Sequence, residues 1–282
     1  TDPAAAPEAL MAHAEPQPIL CIGDLVADIV ATPVARLPEP GDSVVTDRIA
    51  VFPGGNALNT AVALRRMGDP VAMTGSVGDD DLGTMLLEQL RAIGLDVHSV
   101  RRKAGGSTPV TFIMRAEGED RRFISALGVG ADFTGEEVPH DLIPRDGIVL
   151  VGAYLKLPAW NDDALIALFE AAHDRGSRVV LNVCVVRNNG VDPRRTLRLL
   201  EHVDVFLPNE DEARAITGET TPAEQARALR RAGARLVVIT RGAEGLYAED
   251  DGQVVTMGAY PVDVVDPSGC GDCFTAGLLA AL

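Results

Sequence analysis

The chain carries Asp266-Pro-Ser-Gly-Cys-Gly-Asp272-Cys-Phe-Thr-Ala-Gly277 near its C-terminal end. It lies between a β-branched run, Pro261–Val265, that reads as a strand and an apolar run to Leu282 that reads as a buried helix. Gly269 and Gly271 permit a tight turn and close approach of the backbone to a ligand. The N–H groups of Gly269, Cys270, Gly271 and Asp272 then open a helix N-terminus, where an anion is stabilised. An anion repels the carboxylate of Asp272, so that carboxylate needs a task. Taking the proton of a hydroxyl that attacks the anion supplies one. The chemistry implied is phosphoryl transfer to an alcohol.

Other polar groups follow apolar runs. Asp24 and Asp28 come after Pro18–Gly23, and each alone reads as turn chemistry. Gly54-Gly55 opens a helix whose first turn holds Asn56 and Asn59. Capping explains Asn56 better than Asn59. No Gly-Lys-Ser/Thr follows, so this is not a Walker loop. Asp79–Asp81 reads as an acidic helix start rather than a metal site. Asn209 and Glu212 suit Mg²⁺ through its waters, or simply a capped helix. Thr240, Gly242 and Gly245 offer a hydroxyl and mobile backbone to a nucleotide, or an ordinary hairpin turn. Pairs of these groups prove little, but all of them follow predicted strands.

The elements that must position them alternate. Strands are expected at 18–23, 71–75, 148–152, 178–183, 203–207 and 236–240, with helices between them. Asp192-Pro193 and the Thr221–Glu224 capping box each open one. Such alternation means a parallel sheet with helices on both faces and ligands beyond the carboxyl ends of its strands. Residues 36–52 and 97–127 break the pattern with short β runs and no crossover helix. They are expected to form a small sheet beside the main domain, a lid. The expected organisation is therefore a leader, residues 1–17, rich in Ala, Pro and Glu and read as disordered, then one domain over 18–282.

The composition fits a single α/β domain of 282 residues, 46% hydrophobic and 4% aromatic, with a formal net charge of −16. That charge argues against nucleic acid or anionic membranes as partners. No apolar run approaches the about 18 residues of a membrane span. Four cysteines in so long a chain make no disulfide scaffold, and the cytoplasm is the expected compartment. Cys270 and Cys273 invite a thioredoxin-like reading. The order of the motifs argues against it, and the two thiols read as packing residues.

Five motifs in register resemble the ribokinase/PfkB carbohydrate kinase family: Gly54–Ala61, Val77–Asp80, Pro208–Ala213, Thr240–Gly242, and Asp266, Gly269, Gly271, Asp272 with Phe274. The likeness runs from Ile19 to the end. It implies a ribokinase-like three-layer core with a small β-sheet lid, and ATP-dependent phosphorylation of a primary hydroxyl on a sugar or sugar-like alcohol. By that resemblance Asp272 is the base, and Gly269, Cys270 and Gly271 frame the anion hole. Asp28, Gly54, Gly55 and Asn59 hold the acceptor. Asn209, Thr240, Gly242, Gly245 and Asp266 attend the nucleotide, and Asn209 and Glu212 order Mg²⁺ through water. The resemblance also implies a homodimer through the lid. It further implies a monovalent-cation site, although Pro267 stands where Thr is common. Relatives continue past the helix in which Leu282 falls, so the nucleotide pocket is expected to be incomplete or the chain to be a piece.

Rival readings differ in what they require. A nucleoside kinase would stack its base on Phe52, Phe112, Phe123 or Tyr154. A phosphorylated sugar would need Arg121 or Arg122 turned inward. A dinucleotide oxidoreductase lacks its early Gly-x-Gly-x-x-Gly. A non-catalytic binding protein on a kinase fold would bind sugar without turnover.

Overall fold

The structure, a computed structural model, describes residues 16–186, 189–264 and 266–282. Residues 1–15, most of the expected leader, lie outside it. The first half runs β1 (Ile19–Ile22), β2 (Val26–Ala31), β3 (Ile49–Gly54), α1 (Asn56–Met67), β4 (Val71–Thr74), β5 (Ser76–Gly78), α2 (Asp81–Ala92), β6 (Arg101–Lys103), β7 (Val110–Met114) and β8 (Arg122–Ala126). The second half runs β9 (Ile148–Val151), α3 (Asp162–Asp174), β10 (Arg178–Asn182), β11 (Val205–Leu207), α4 (Glu210–Thr217), α5 (Pro222–Arg231), β12 (Leu236–Thr240), β13 (Leu246–Glu249), β14 (Val254–Met257) and α6 (Cys270–Ala281).

The main sheet has the order β14-β13-β12-β11-β10-β9-β1-β4. The strands from β12 to β4 are parallel, and β13 and β14 add an antiparallel edge. Central strands are apolar on both faces, as the continuous runs at Ile19 and Ile148 require. Leu20, Ile22, Val149 and Val151 point to one core with Leu165, Phe169, Ile216 and Leu229 from α3, α4 and α5. Ile19, Cys21, Ile148 and Leu150 point to the other, with Leu58, Leu64, Leu87, Leu90 and Leu279 from α1, α2 and α6. Helices therefore cover both faces, and the three-layer expectation holds. Among the described residues no helix is long and apolar enough to cross a membrane.

The small sheet differs from expectation in its parts. Its order is β3-β2-β7-β8, with β2 at its centre. Asp24 and Asp28, each read alone as turn chemistry, instead lie where the chain leaves β1 through Gly23 and crosses as β2 into this second sheet. Its partner strand begins only at Ile49, and Ser43–Thr46 forms no strand. Residues 101–103 pair with β5, away from the small sheet. Local β-propensity marked these strands, but register and partner depend on contacts far along the chain.

Helix ends are mostly as read. Asp80 caps α2, accepting from Gly83 N–H at 2.9 Å and from Thr108. Thr221 accepts from Glu224 N–H, but the Glu224 carboxylate takes the Thr221 hydroxyl, so the reciprocal half of the box is missing. Asp192-Pro193 opens a 3₁₀ segment rather than an α-helix. Pro261–Val264 is exposed and carries no strand.

Candidate active site

Five groups come from the carboxyl ends of parallel strands: Asp24 after β1, Lys156 after β9, Asn182 closing β10, Asn209 after β11 and Thr240 closing β12. Sheet geometry alone brings them to one edge. The N-terminus of α6 arrives at the same edge because Ala276 and Leu279 pack into the core beside Leu58 and Leu64 of α1.

Asp272 lies at the meeting point. It is buried, and both carboxylate oxygens are held from the first turn of α1. Asn59 Nδ2 donates to Oδ2 at 2.8 Å, and Asn56 Nδ2 donates to Oδ1 at 3.3 Å. Asn56 is thus no cap: Gly55 occupies the cap position, and no side chain there bonds the helix. Burial pushes the Asp272 carboxyl up to about 6, opposed by the Asn59 bond and helped by the charge of Asp24. A carboxyl so poised accepts a proton near neutral pH.

Gly269 adopts φ 74° at the start of α6, and no side chain caps this terminus. Cys270 N–H turns back to the Pro267 carbonyl at 3.3 Å, which removes it from the expected set of four donors. The Gly271 and Asp272 N–H groups remain in the first turn, where an α-helix leaves its donors free. Cys270 and Cys273 are exposed free thiols, not packing residues. Their solvent-facing positions on α6 exclude the packing role.

Two cavities adjoin the Asn56–Asp272–Asn59 cluster, and Asp272 itself lines the smaller of them. One, of about 520 Å³, is lined by Asp28, Phe52, Asn59, Asp266, Gly269 and Cys273. The other, of about 90 Å³, is lined by Asn56, Asn182, Asn209, Glu212, Thr240 and Asp272. Asn59 faces the first, Asn56 the second, and Asp272 is bonded to both.

Gly54 and Gly55 are fixed by close approach. A Cβ on Gly54 would lie 1.9 Å from Asp28 Oδ2, and one on Gly55, at φ 110°, 2.4 Å from the Asp24 carbonyl oxygen. Burial pushes the Asp28 carboxyl up to about 6, with Lys156 pulling it down. Lys156 Nζ donates to Asp24 Oδ2 at 2.8 Å inside the protein. Ala153, in the left-handed region at φ 59°, makes the turn that brings this lysine in.

On the other side, Asn209 and Glu212 form a full capping box. Asn209 Oδ1 accepts from Glu212 N–H, and Glu212 Oε2 accepts from Asn209 N–H, both at 2.9 Å. Burial pushes Glu212 up to about 7 against its hydrogen bonds from Asn209 and Val185. Asn182 Oδ1 is buried with no partner among the described residues. Of the expected nucleotide residues, Asn209 and Thr240 line the smaller cavity, and Gly242, Gly245 and Asp266 do not. Gly242 sits in the β12–β13 turn, and Gly245 is packed where a Cβ would meet Met257 O at 1.9 Å. Asp266 faces the larger cavity, away from Thr240. Tyr154 is core, bonded to Asp162, and cannot stack a base.

Lys156 and Asn182 were not foreseen, and Asn56 was read chiefly as a cap. Lys156 had a signal, being one of only two lysines in the chain and set among apolar residues. Asn182 had a weaker one, an amide closing a β-branched strand.

A parallel α/β sheet with a glycine-framed helix start at its carboxyl edge and a small sheet beside it is the three-layer ribokinase-like architecture. The chain belongs to the pfkB family of carbohydrate kinases, whose profile matches residues 17–282. It is 29% identical to the ribokinase of Bacillus subtilis over 266 residues, covering 94% of this chain and 85% of that one. It is 28% identical to a fructokinase of Rhizobium leguminosarum, covering 94% and 79%. Its fold matches a ribokinase from Thermotoga maritima with a TM-score of 0.77 at 20% identity, over 94% of this chain and 82% of that one. The protein is a PfkB-type kinase that transfers a phosphoryl group to a sugar.

Proposed function

We propose that Asp272 takes the proton of a primary sugar hydroxyl as it attacks the γ-phosphoryl group of ATP. The supporting observation is the pair of hydrogen bonds that Asp272 accepts from Asn59 and Asn56, one of which faces each cavity. The acceptor occupies the larger cavity, where Asp28 and Asn59 meet its hydroxyls and Gly54 and Gly55 give the backbone close approach. The phosphoryl group lies over the first turn of α6, where the Gly271 and Asp272 N–H groups meet charge developing on it. A cavity of about 90 Å³ suits that group and a hydrated cation rather than adenine. A solved Arabidopsis ribokinase with this fold was captured with ribose and ATP.

The residues present fit Mg²⁺. Among the described residues no three acidic, His or Cys side chains cluster as direct ligands. The unpaired Asn182 Oδ1 and the Glu212 carboxyl group line one small cavity, which suits an ion held through its waters. Bound there, Mg²⁺ supplies charge neutralisation for the phosphates.

The small sheet acts as a lid that keeps water from competing as acceptor. It also carries a dimer contact in this reading, supported by exposed Phe123 and Ile124 on β8. The test is Mg²⁺-dependent release of ADP from ATP across a panel of sugars and nucleosides. Release stimulated by a sugar is expected. Stimulation by nucleosides alone overturns the sugar assignment, and binding without release points to a non-catalytic role.

A further inference from the structure

Beyond the reaction itself, the small sheet carries a cluster of cations at the end of the acceptor cleft. A cavity of about 230 Å³ adjoins the acceptor cavity and shares Val30, Phe52, Ile113 and Asp266 with it. Arg48, Arg115 and Arg121 line it. They arrive from the segments before β3, after β7 and before β8, so three separate stretches converge on one spot.

The convergence runs against the chain's formal charge of −16. Arg121 is turned inward, its side chain 21% exposed, and donates to Ser268 Oγ at 2.9 Å, beside Gly269. Its neighbour Arg122 turns outward to Glu119 at 2.6 Å. Arg48 lies 5.9 Å from the centre of the Phe52 ring and has no ion-pair partner among the described residues. Arg115 and Arg121 both act on Asp266. Partial burial opposes ionisation of that carboxyl, but the Ser268 bonds and these arginines hold it below its usual range. Asp266 is the one acidic residue lining the cavity, and its carboxylate is bonded to Ser268 N–H at 2.8 Å; the exposed Asp120 pairs with Arg121 at 3.4 Å from outside the cavity and also acts on Arg115.

Strand register orders the cleft. Asp28 and Val30 follow one another along one face of β2, and Thr32, just past its end, donates its N–H to the Arg48 carbonyl. Four residues of strand span about 13 Å. Asp28 meets hydroxyl groups at one end, and the guanidinium groups gather at the other. Such planar forks match a carboxylate or a phosphate.

We propose that the acceptor is an anionic sugar, bearing a phosphate or a carboxylate that Arg48, Arg115 and Arg121 bind at the end of the cleft away from Asp28. This rests on the acceptor assignment above. It places the enzyme after a reaction that delivers a sugar phosphate or sugar acid with a free hydroxyl.

Matched acceptors test it: fructose against fructose 6-phosphate, and glucose against glucose 6-phosphate and gluconate, with ADP release as readout. One charged class is expected to exceed its neutral counterpart in kcat/KM by about tenfold or more, as a charge-assisted contact allows. The phosphate and carboxylate arms tell the two sources apart. Arg121→Met and Arg48→Met are each expected to raise KM for that acceptor about tenfold, with Arg121→Lys restoring part of the loss. Arg122→Met is expected to leave it unchanged, and an unaltered melting temperature with intact ATP binding separates lost contact from misfolding. Preference for the neutral sugars, or a KM indifferent to both arginines, overturns the inference. If neither set is turned over, the acceptor assignment falls and this inference with it.

Discussion

Asn59 donates its side-chain amide to Asp272 Oδ2 at 2.8 Å, joining the first turn of α1 to the first turn of α6. The bond stabilises the ionised carboxylate, while burial favours its protonated form and prevails, lifting the group to about 6. A base works only when deprotonated, so kcat/KM is expected to rise with pH through about 6 and then level. Removing the amide in Asn59→Ala removes a stabiliser of the charged form, so the acid limb moves to higher pH. A charge-assisted bond of about 1.5 kcal/mol corresponds to about one pH unit. Profiles of kcat/KM from pH 5 to 9 check this, and a limb that stays in place or moves down contradicts it.

Gly54 exists for its neighbour. Its missing Cβ leaves space for Asp28 Oδ2, which would otherwise be 1.9 Å away. Gly54→Ala is therefore expected to displace Asp28 and raise KM for the sugar about tenfold or more, since a displaced charged contact costs about 1.5–3 kcal/mol. KM for ATP stays near the wild-type value. Steady-state kinetics with each substrate varied in turn measure the split, and an equal rise in both constants would count against an acceptor-side role.

Lys156 and Asp24 form a buried pair whose halves are costly alone. Burial opposes the lysine's charge, but Asp24 outweighs it and holds the ammonium above its usual range. Lys156→Met strands the Asp24 carboxylate and is expected to cost about 3–5 kcal/mol of stability. The double variant Asp24→Asn/Lys156→Met is expected to recover much of that loss. Urea unfolding of the four proteins in the cycle gives the coupling energy, and additive losses would mean that the pair is not coupled.

The architecture was legible because its signals are local. Central parallel strands such as Ile148–Val151 announce themselves as unbroken apolar runs, and Gly68 and Gly218 stop helices in the left-handed conformation that the sequence implies. The residues around Asp272 were legible as a motif, since glycines and a carboxylate in one short stretch have few other uses. What failed to read was long-range. Asp28 looks like a turn residue until β3 and β7 pair with β2, and Asn56 looks like a cap until α6 brings Asp272 within reach. Asp266 follows the same rule: its type was noted, but its side of α6 was set by Ser268 and Arg121.

The central claim is that Asp272 accepts the proton of the sugar hydroxyl. Sugar-dependent ADP release by wild type and by Asp272→Asn, at saturating ATP and Mg²⁺, tests it most directly. The amide preserves shape and cannot take the proton, so kcat is expected to fall by about 10²–10⁴. The melting temperature is expected to hold, because the variant no longer buries a charge between Asn56 and Asn59. A folded Asp272→Asn enzyme that turns over sugar at the wild-type rate would contradict the account.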